Sequence, residues 1–98
     1  MVTSIHQIRS LDDLRDYVNE TLCRRYELQP NAFLLTERRL IRGGRPCGMY
    51  FCLHGPRQVR FTAIWENERN QVLFYDSGGE RFQTTKLSAA PCLEPVAA

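Results

Sequence analysis

The sequence predicts an α+β domain with one N-terminal amphipathic helix packed on a four- to five-stranded antiparallel meander sheet. Two patterns in the chain predict this fold. Apolar residues recur every three or four positions over residues 10–28, which is the period of a helix that buries one face. Apolar and polar residues then alternate in short segments separated by turn residues, as they do in strands joined by hairpins.

Ser10 precedes the helical pattern and marks its start. Its side chain can accept a hydrogen bond from the first turn, and acids follow at Asp12 and Asp13, where the helix dipole favours negative charge. The apolar positions of the helix are Leu11, Leu14, Tyr17, Val18, Leu22 and Tyr26. Pro30 cannot continue a helix and is expected to end it.

Four segments after the helix are predicted strands. They cover residues 47–53, 59–66, 72–75 and 81–87, with turns at 55–56, 67–70 and 76–80. Alternation assigns the following side chains to the face that the helix covers: Cys47, Met49, Phe51, Leu53, Val59, Phe61, Ala63, Trp65, Val72 and Phe74. Phe82 joins this face if the last hairpin carries a bulge.

Residues 33–42 fit two interpretations. As a strand they pair with residues 45–54 through a Gly43–Gly44 turn, and this register assigns four side chains to the core face: Leu34, Thr36, Arg38 and Leu40. As a short helix they begin at Thr36 and end at Gly43. The strand is favoured, because the next strand otherwise lacks a neighbour on that side.

The chain is expected to form one domain. Its 98 residues suit a single core, and residues 1–88 are predicted to be compact, with a short first strand in residues 3–8. Residues 89–98 contain two prolines and four alanines and are predicted to form a loose tail.

A cytoplasmic location without membrane contact is expected. No apolar run approaches the roughly 20 residues of a membrane helix, and the N-terminus lacks the apolar core of a signal peptide. The four cysteines (Cys23, Cys47, Cys52 and Cys92) lie among apolar residues, and we interpret them as reduced thiols that act as small buried hydrophobic residues.

No residue is assigned to catalysis, to a cofactor or to a metal, and the chain is expected not to be an enzyme. Cys47, Cys52 and His54 have cysteine and histidine ligand types, but strand alternation predicts opposite faces for the two cysteines. Cys52 and His54 share a face with Arg60 on the next strand, yet residues two apart on a strand lie about 7 Å apart, which is far for a thiol–imidazole pair.

The side of the sheet away from the helix, called the outer face below, is unusually apolar. It is predicted to present Tyr50, Cys52, Ile64, Leu73 and Tyr75. Contiguous apolar surface of this kind marks contact sites. We therefore expect a small protein-interaction or adaptor module that binds itself or another protein through an apolar patch formed by Tyr50, Ile64, Leu73 and Tyr75.

Charge supports an alternative function in nucleic-acid binding. The net charge of the chain is +2, but residues 38–60, called the basic segment below, contain six arginines and no acid. These are Arg38, Arg39, Arg42, Arg45, Arg57 and Arg60. Arginines near tyrosines on a sheet can hold a phosphate backbone and stack on bases. Against this alternative, the RNP sequence patterns of RNA-binding domains are absent, and the isoelectric point of about 8.5 is lower than is usual for such proteins.

Overall fold

The computed structural model describes residues 2–5 and 8–88, with side chains from residue 8 onward. Along the chain the elements are β1 (Val2–Ile5), α1 (Leu11–Arg25), β2 (Leu34–Arg42), β3 (Arg45–His54), β4 (Arg60–Glu66), β5 (Gln71–Tyr75) and β6 (Arg81–Leu87). A single turn of 3-10 helix, Pro56–Gln58, joins β3 to β4. The predicted tail, residues 89–98, lies outside the described residues.

Within residues 2–5 and 8–88, six strands form one sheet in the order β1-β6-β5-β4-β3-β2. Strands β2 to β6 form the predicted antiparallel meander, and β1 adds a parallel strand beside β6. The predicted α+β fold is therefore confirmed. None of the helices in this part of the chain is long and apolar enough to cross a membrane.

The two ends of α1 have different causes. At the start, Asp13 N donates to Ser10 Oγ over 3.1 Å, as the sequence predicts. The helix ends at Arg25, before Pro30, because Glu27 takes a left-handed conformation with φ of 54°. Leu28 N then donates to Cys23 O over 2.8 Å, which closes the last turn. The predicted end near residue 28 is therefore too late.

The core lies between α1 and one face of the sheet. It contains Leu14, Val18, Leu22 and Cys23 from the helix and Met49, Phe51, Leu53, Phe61, Ala63, Trp65, Val72, Phe74 and Leu87 from the sheet. A register shift after Phe74 lets Phe82 pack against this core as well. Trp65 is 1% exposed, and its Nε1 donates to Asn70 Oδ1 over 3.0 Å, so its polar atom is satisfied.

Residues 34–42 form the predicted strand, but the predicted faces are wrong. Leu35 pairs with Leu53 and Glu37 with Phe51, so the odd-numbered residues of β2 face the helix. The side chains expected in the core, Leu34, Thr36, Arg38 and Leu40, lie on the outer face instead.

The cause is a bulge in β3. Ile41 pairs with Pro46 but Leu40 pairs with Gly48, which leaves Cys47 as an extra residue. A slip of one residue moves every following side chain to the other face. Cys47 itself is therefore not a core residue, and it lines a depression with Leu40 and Ile64 of the outer face.

Gly48 allows β3 and β4 to approach closely beside this bulge. A Cβ atom at this position would lie 2.1 Å from the backbone oxygen of Trp65, so a larger residue does not fit without moving the strands.

Candidate binding face of the sheet

The outer face brings together the predicted apolar patch. Tyr50 pairs with Ile64, and Ile64 pairs with Leu73, so these three side chains form one row across β3, β4 and β5. Tyr75 follows two residues after Leu73 on the same face of β5, one row further along. All four side chains are half-buried, so they remain accessible to a partner.

Tyr50 and Tyr75 are well separated on this face. Two strand spacings and one row lie between them, which corresponds to about 12 Å between their Cα atoms. A planar ligand group that contacts one tyrosine therefore does not reach the other. The two phenol rings are separate contact points with Ile64 and Leu73 between them.

Arg38 lies at the β2 end of the Tyr50 row. Its guanidinium carbon lies 5.7 Å from the centroid of the Tyr50 ring, within the range of a cation–π contact. This places one residue of the predicted basic segment directly beside one residue of the apolar patch. The two sequence-based candidate sites therefore meet on a single surface.

Three further cations share the outer face. Arg60 pairs with His54, Arg81 pairs with Tyr75, and Lys86 pairs with Gln71. Arg81 and Lys86 were not among the predicted site residues. The alternation of β6 was visible in the sequence, but the register shift beside Tyr75 decides which of its side chains face outward.

The remaining arginines of the basic segment lie around the β2–β3 hairpin. Arg42 and Arg45 flank the Gly43–Gly44 turn at one end, and Arg57 lies in the 3-10 turn at the other end. Arg39 pairs with Met49 and thus points to the helix side of the sheet. Four of the six predicted arginines therefore lie on the outer face or at the hairpin turn beside it, Arg57 lies in the turn after β3, and Arg39 lies on the other side.

None of these six arginines forms an ion pair with the acids of residues 8–88. Two acids of α1, Asp12 and Glu20, instead pair with helix arginines. Arg15 Nη1 contacts Asp12 Oδ1 at 2.7 Å and Arg15 also pairs with Glu37, whereas Arg24 pairs with Glu20. The positive charge of the basic segment is thus not neutralised by the helix.

Two acids lie near one end of the outer face. Glu66 follows Ile64 on the same face of β4, and it accepts a hydrogen bond from Gln71 Nε2 over 2.8 Å. Glu68 lies beyond it in the β4–β5 turn, near Arg42 and Cys47. Glu66 and Glu68 thus lie at the Arg42 end of the face, opposite the end with Arg60 and His54.

The opposite end of the face contains a small open depression of about 340 Å³, lined by His54, Gly55, Gln58, Val59 and Arg60. His54 Nε2 lies 3.0 Å from Thr36 Oγ1, so the imidazole is held by a hydroxyl and not by the neighbouring thiol. Cys52 is only 6% exposed. This arrangement does not favour a thiol–imidazole catalytic pair.

Within residues 8–88, no group of three or more His, Cys, Asp or Glu side chains is arranged to hold a metal ion. The reason predicted for this, that Cys47 and Cys52 face opposite sides, is wrong because of the bulge at Cys47. Cys23, Cys47 and Cys52 are free thiols, and burial raises the pKa of the Cys23 thiol.

No protein-family model, curated protein sequence or solved structure matches this chain.

Proposed function

We propose that this protein binds single-stranded nucleic acid through the outer face of its sheet. The observation that carries the proposal is that arginines without ion pairs lie beside two accessible tyrosines on one face of the sheet. Phosphates would meet the arginines, and bases would stack on the phenol rings.

The distribution of charge favours a long polyanion. Cations lie at the Gly43–Gly44 end of the hairpin, at Arg38 in its middle, and at Arg57 and Arg60 at its other end. A strand of this length spans about 30 Å. A partner that contacts all of these cations must carry negative charge over that distance, as a nucleic-acid backbone does.

The apolar residues favour a single strand over a duplex. A base in a single strand exposes its flat surface, which can stack on a tyrosine, whereas bases in a duplex are stacked on one another. The Cα atoms of Tyr50 and Tyr75 lie about 12 Å apart. Each tyrosine would therefore stack on a different base. Ile64 and Leu73 provide apolar contact between these two positions.

This role requires binding and no chemical step, in agreement with the expectation that the chain is not an enzyme. A cytoplasmic location is part of the proposal. The free thiols of Cys23, Cys47 and Cys52 suit a reducing compartment, where single-stranded RNA is also found.

The test is the binding of a fluorescein-labelled single-stranded RNA of mixed sequence, followed by anisotropy. We expect micromolar affinity at about 50 mM salt and a steep loss of affinity towards about 200 mM. Intrinsic tryptophan emission is a poor readout here, because Trp65 is buried on the helix side of the sheet.

One variant tests stacking on Tyr50, and a second variant, on the helix side, controls for a general loss of positive charge. Tyr50→Ala is expected to weaken binding by about 5- to 150-fold, which is the range for loss of one stacked base. Arg24→Ala removes one positive charge from the helix side of the molecule and is the matched control, with little change expected. Absence of binding at about 50 mM salt, or an equal loss in both variants, would refute the proposal.

The second candidate function is protein–protein contact through the apolar patch, as the sequence led us to expect. It is favoured by the single row that Tyr50, Ile64 and Leu73 form across three strands. If two copies associated through this face, Arg38 and Arg60 of one copy would lie near the cations of the other. An acidic partner protein therefore fits this face better than a second copy does. If the chain fails to bind RNA and Ile64→Glu converts a dimer into a folded monomer, self-association through the patch is the function supported.

A further inference from the structure

Strand β2 forms an edge of the sheet that none of the described residues covers. In that part of the chain it pairs with β3 alone, and seven of its nine residues are exposed. Leu34 and Ile41, near its two ends, are 66% and 57% exposed. A long edge with free backbone donors and acceptors and exposed apolar side chains is a template for another strand.

We infer that β2 pairs with β2 of a second copy of this chain, antiparallel, to join the two sheets across a two-fold axis. This inference concerns a different surface from the proposed nucleic-acid site and does not depend on that function. The argument for a second copy comes from the order of charges along the strand.

Symmetry restricts how two copies of β2 can pair. A two-fold axis perpendicular to the sheet keeps the outer faces of both copies on the same side, so paired residues must come from the same face of β2. Full overlap of Leu34–Arg42 with its copy satisfies this condition. It places Arg38 at the axis and Leu34 opposite Arg42 of the second copy.

In this full-overlap register, the side chains that lie opposite one another also have complementary charge or polarity. Glu37 lies opposite Arg39 of the second copy, and the symmetry repeats this pair on the other side of the axis. Leu35 lies opposite Ile41 of the second copy, so apolar side chains flank the charged pairs. Opposite charges and apolar residues directly across a ladder both stabilise strand pairing.

Neighbouring registers lack this complementarity. The nearest alternative registers that keep matching faces move the two-fold axis by one residue along β2. With the axis at Glu37, this residue lies opposite Glu37 of the second copy. With the axis at Arg39, that residue lies opposite Arg39 of the second copy. Both shifts also shorten the overlap, so fewer backbone hydrogen bonds form. The favoured register thus combines the longest ladder with two opposite-charge pairs.

Two features of β2 remove obstacles to this pairing. The bulge adds its extra residue to β3, so β2 keeps a regular succession of residues along its free edge. The two copies of Arg38 meet at the axis, but each guanidinium leans over Tyr50 on β3 of its own chain, away from the edge. Repulsion between them is reduced by that displacement.

The test is the mass of the nucleic-acid-free protein by sedimentation velocity. The wild-type chain is expected to associate to a dimer between about 1 and about 100 µM. In a dimer of Arg39→Glu, a glutamate lies opposite Glu37 at both symmetry-related positions. In a dimer of Glu37→Arg, an arginine lies opposite Arg39 at both positions. Each change is expected to weaken dimerisation by at least about tenfold.

The mixture of these two variants is the decisive measurement. One copy then carries Glu at positions 37 and 39 and the other carries Arg at both, so both cross-strand pairs are again complementary. We expect the equimolar mixture to dimerise although neither variant does alone. Arg69→Glu makes the same charge change in the β4–β5 turn, outside the pairing strand, and should dimerise like the wild type.

Glu37→Arg also removes the ion pair with Arg15, so Ile41→Lys provides a second variant at an exposed position. It places a charge opposite Leu35 and should weaken the dimer while circular dichroism shows an unchanged fold. A wild-type chain that stays monomeric up to about 100 µM would overturn the inference. So would a dimer that is indifferent to Arg39→Glu, or a mixture that associates no better than its components.

Discussion

Arg15 of α1 and Glu37 of β2 form a two-point ion pair between the helix and the sheet. Arg15 Nε donates to one carboxylate oxygen of Glu37, and Arg15 Nη2 donates to the other over 2.9 Å. The hydrogen bonds that Arg15 donates to Glu37 and then to Asp12 raise the pKa of Arg15 above its ordinary value. Glu37 lies next to the basic segment but pairs with the helix, and none of the arginines of that segment forms an ion pair within residues 8–88.

Removal of this pair is expected to cost little stability. The two side chains are 39% and 29% exposed, so water screens their attraction. Arg15→Ala, Glu37→Gln and the double variant should show a coupling free energy of about 0.5 to 1 kcal/mol by urea denaturation. A coupling free energy near zero would show that the contact does not tie β2 to the helix.

Replacement of Gly48 is expected to be costly. The Cβ of Gly48→Ala would lie 2.1 Å from the backbone oxygen of Trp65, so β3 and β4 must separate or shift. We expect a loss of at least about 2 kcal/mol in the free energy of unfolding. Gly78→Ala is the matched control, because its nearest neighbour is a side-chain oxygen at 3.4 Å. Equal stability of the two variants would contradict the close approach.

Asn70 links the core to the last strand. Its Oδ1 accepts from Trp65 Nε1 over 3.0 Å, and its Nδ2 donates to Leu87 O over 3.2 Å. Asn70→Ala leaves the buried indole N–H unpaired and should destabilise the fold by about 1 to 3 kcal/mol. Asn67→Ala, in the same turn, is expected to be nearly neutral. If both variants melt at the wild-type temperature, the hydrogen bonds to Asn70 contribute nothing.

Tyr26→Phe is expected to stabilise the protein by about 1 kcal/mol, because the buried Tyr26 hydroxyl has no hydrogen-bond partner within the described residues. The ring itself stacks on Phe61 with centroids 3.8 Å apart, a contact that phenylalanine retains. Thermal denaturation at neutral pH tests this. A lower melting temperature in the variant would show that the hydroxyl has a partner.

The pKa of Tyr26 also makes the stability of the fold depend on pH. Burial, and then the charge of Asp76, raise the pKa of Tyr26 above its ordinary value. At alkaline pH the unfolded chain therefore loses this proton before the folded chain does, and stability falls as pH rises past about 10. Tyr26→Phe should show a shallower loss over that range. Identical pH profiles for the two proteins would exclude this contribution.

Arg38→Ala should reduce the salt dependence of RNA binding. Loss of one phosphate contact to a single strand lowers the slope of log affinity against log salt by about 0.7. Arg24→Ala, on the opposite side of the molecule, should leave the slope unchanged. A slope that is the same for wild type and Arg38→Ala would exclude a phosphate contact at this residue.

The sequence predicts the elements whose signals are local. Ser10 with its following acids marks the start of α1, and Gly43 and Gly44 mark the β2–β3 turn, where both glycines have positive φ. The alternation in residues 49–53, 61–65 and 72–74 identifies the core face correctly. These predictions succeed because the side-chain period of a strand or helix depends on its own residues alone.

By itself, then, the sequence determined the fold class, the core face of the central strands and the membership of the apolar patch. Tertiary structure decided how β2 and β6 register with their neighbours. The bulge at Cys47 turns Arg38 towards Tyr50 and Arg39 towards the helix side, and the shift beside Tyr75 turns Arg81 outward. A bulge adds one residue to one strand only, so its position follows from how two strands fit together and not from the period of either one.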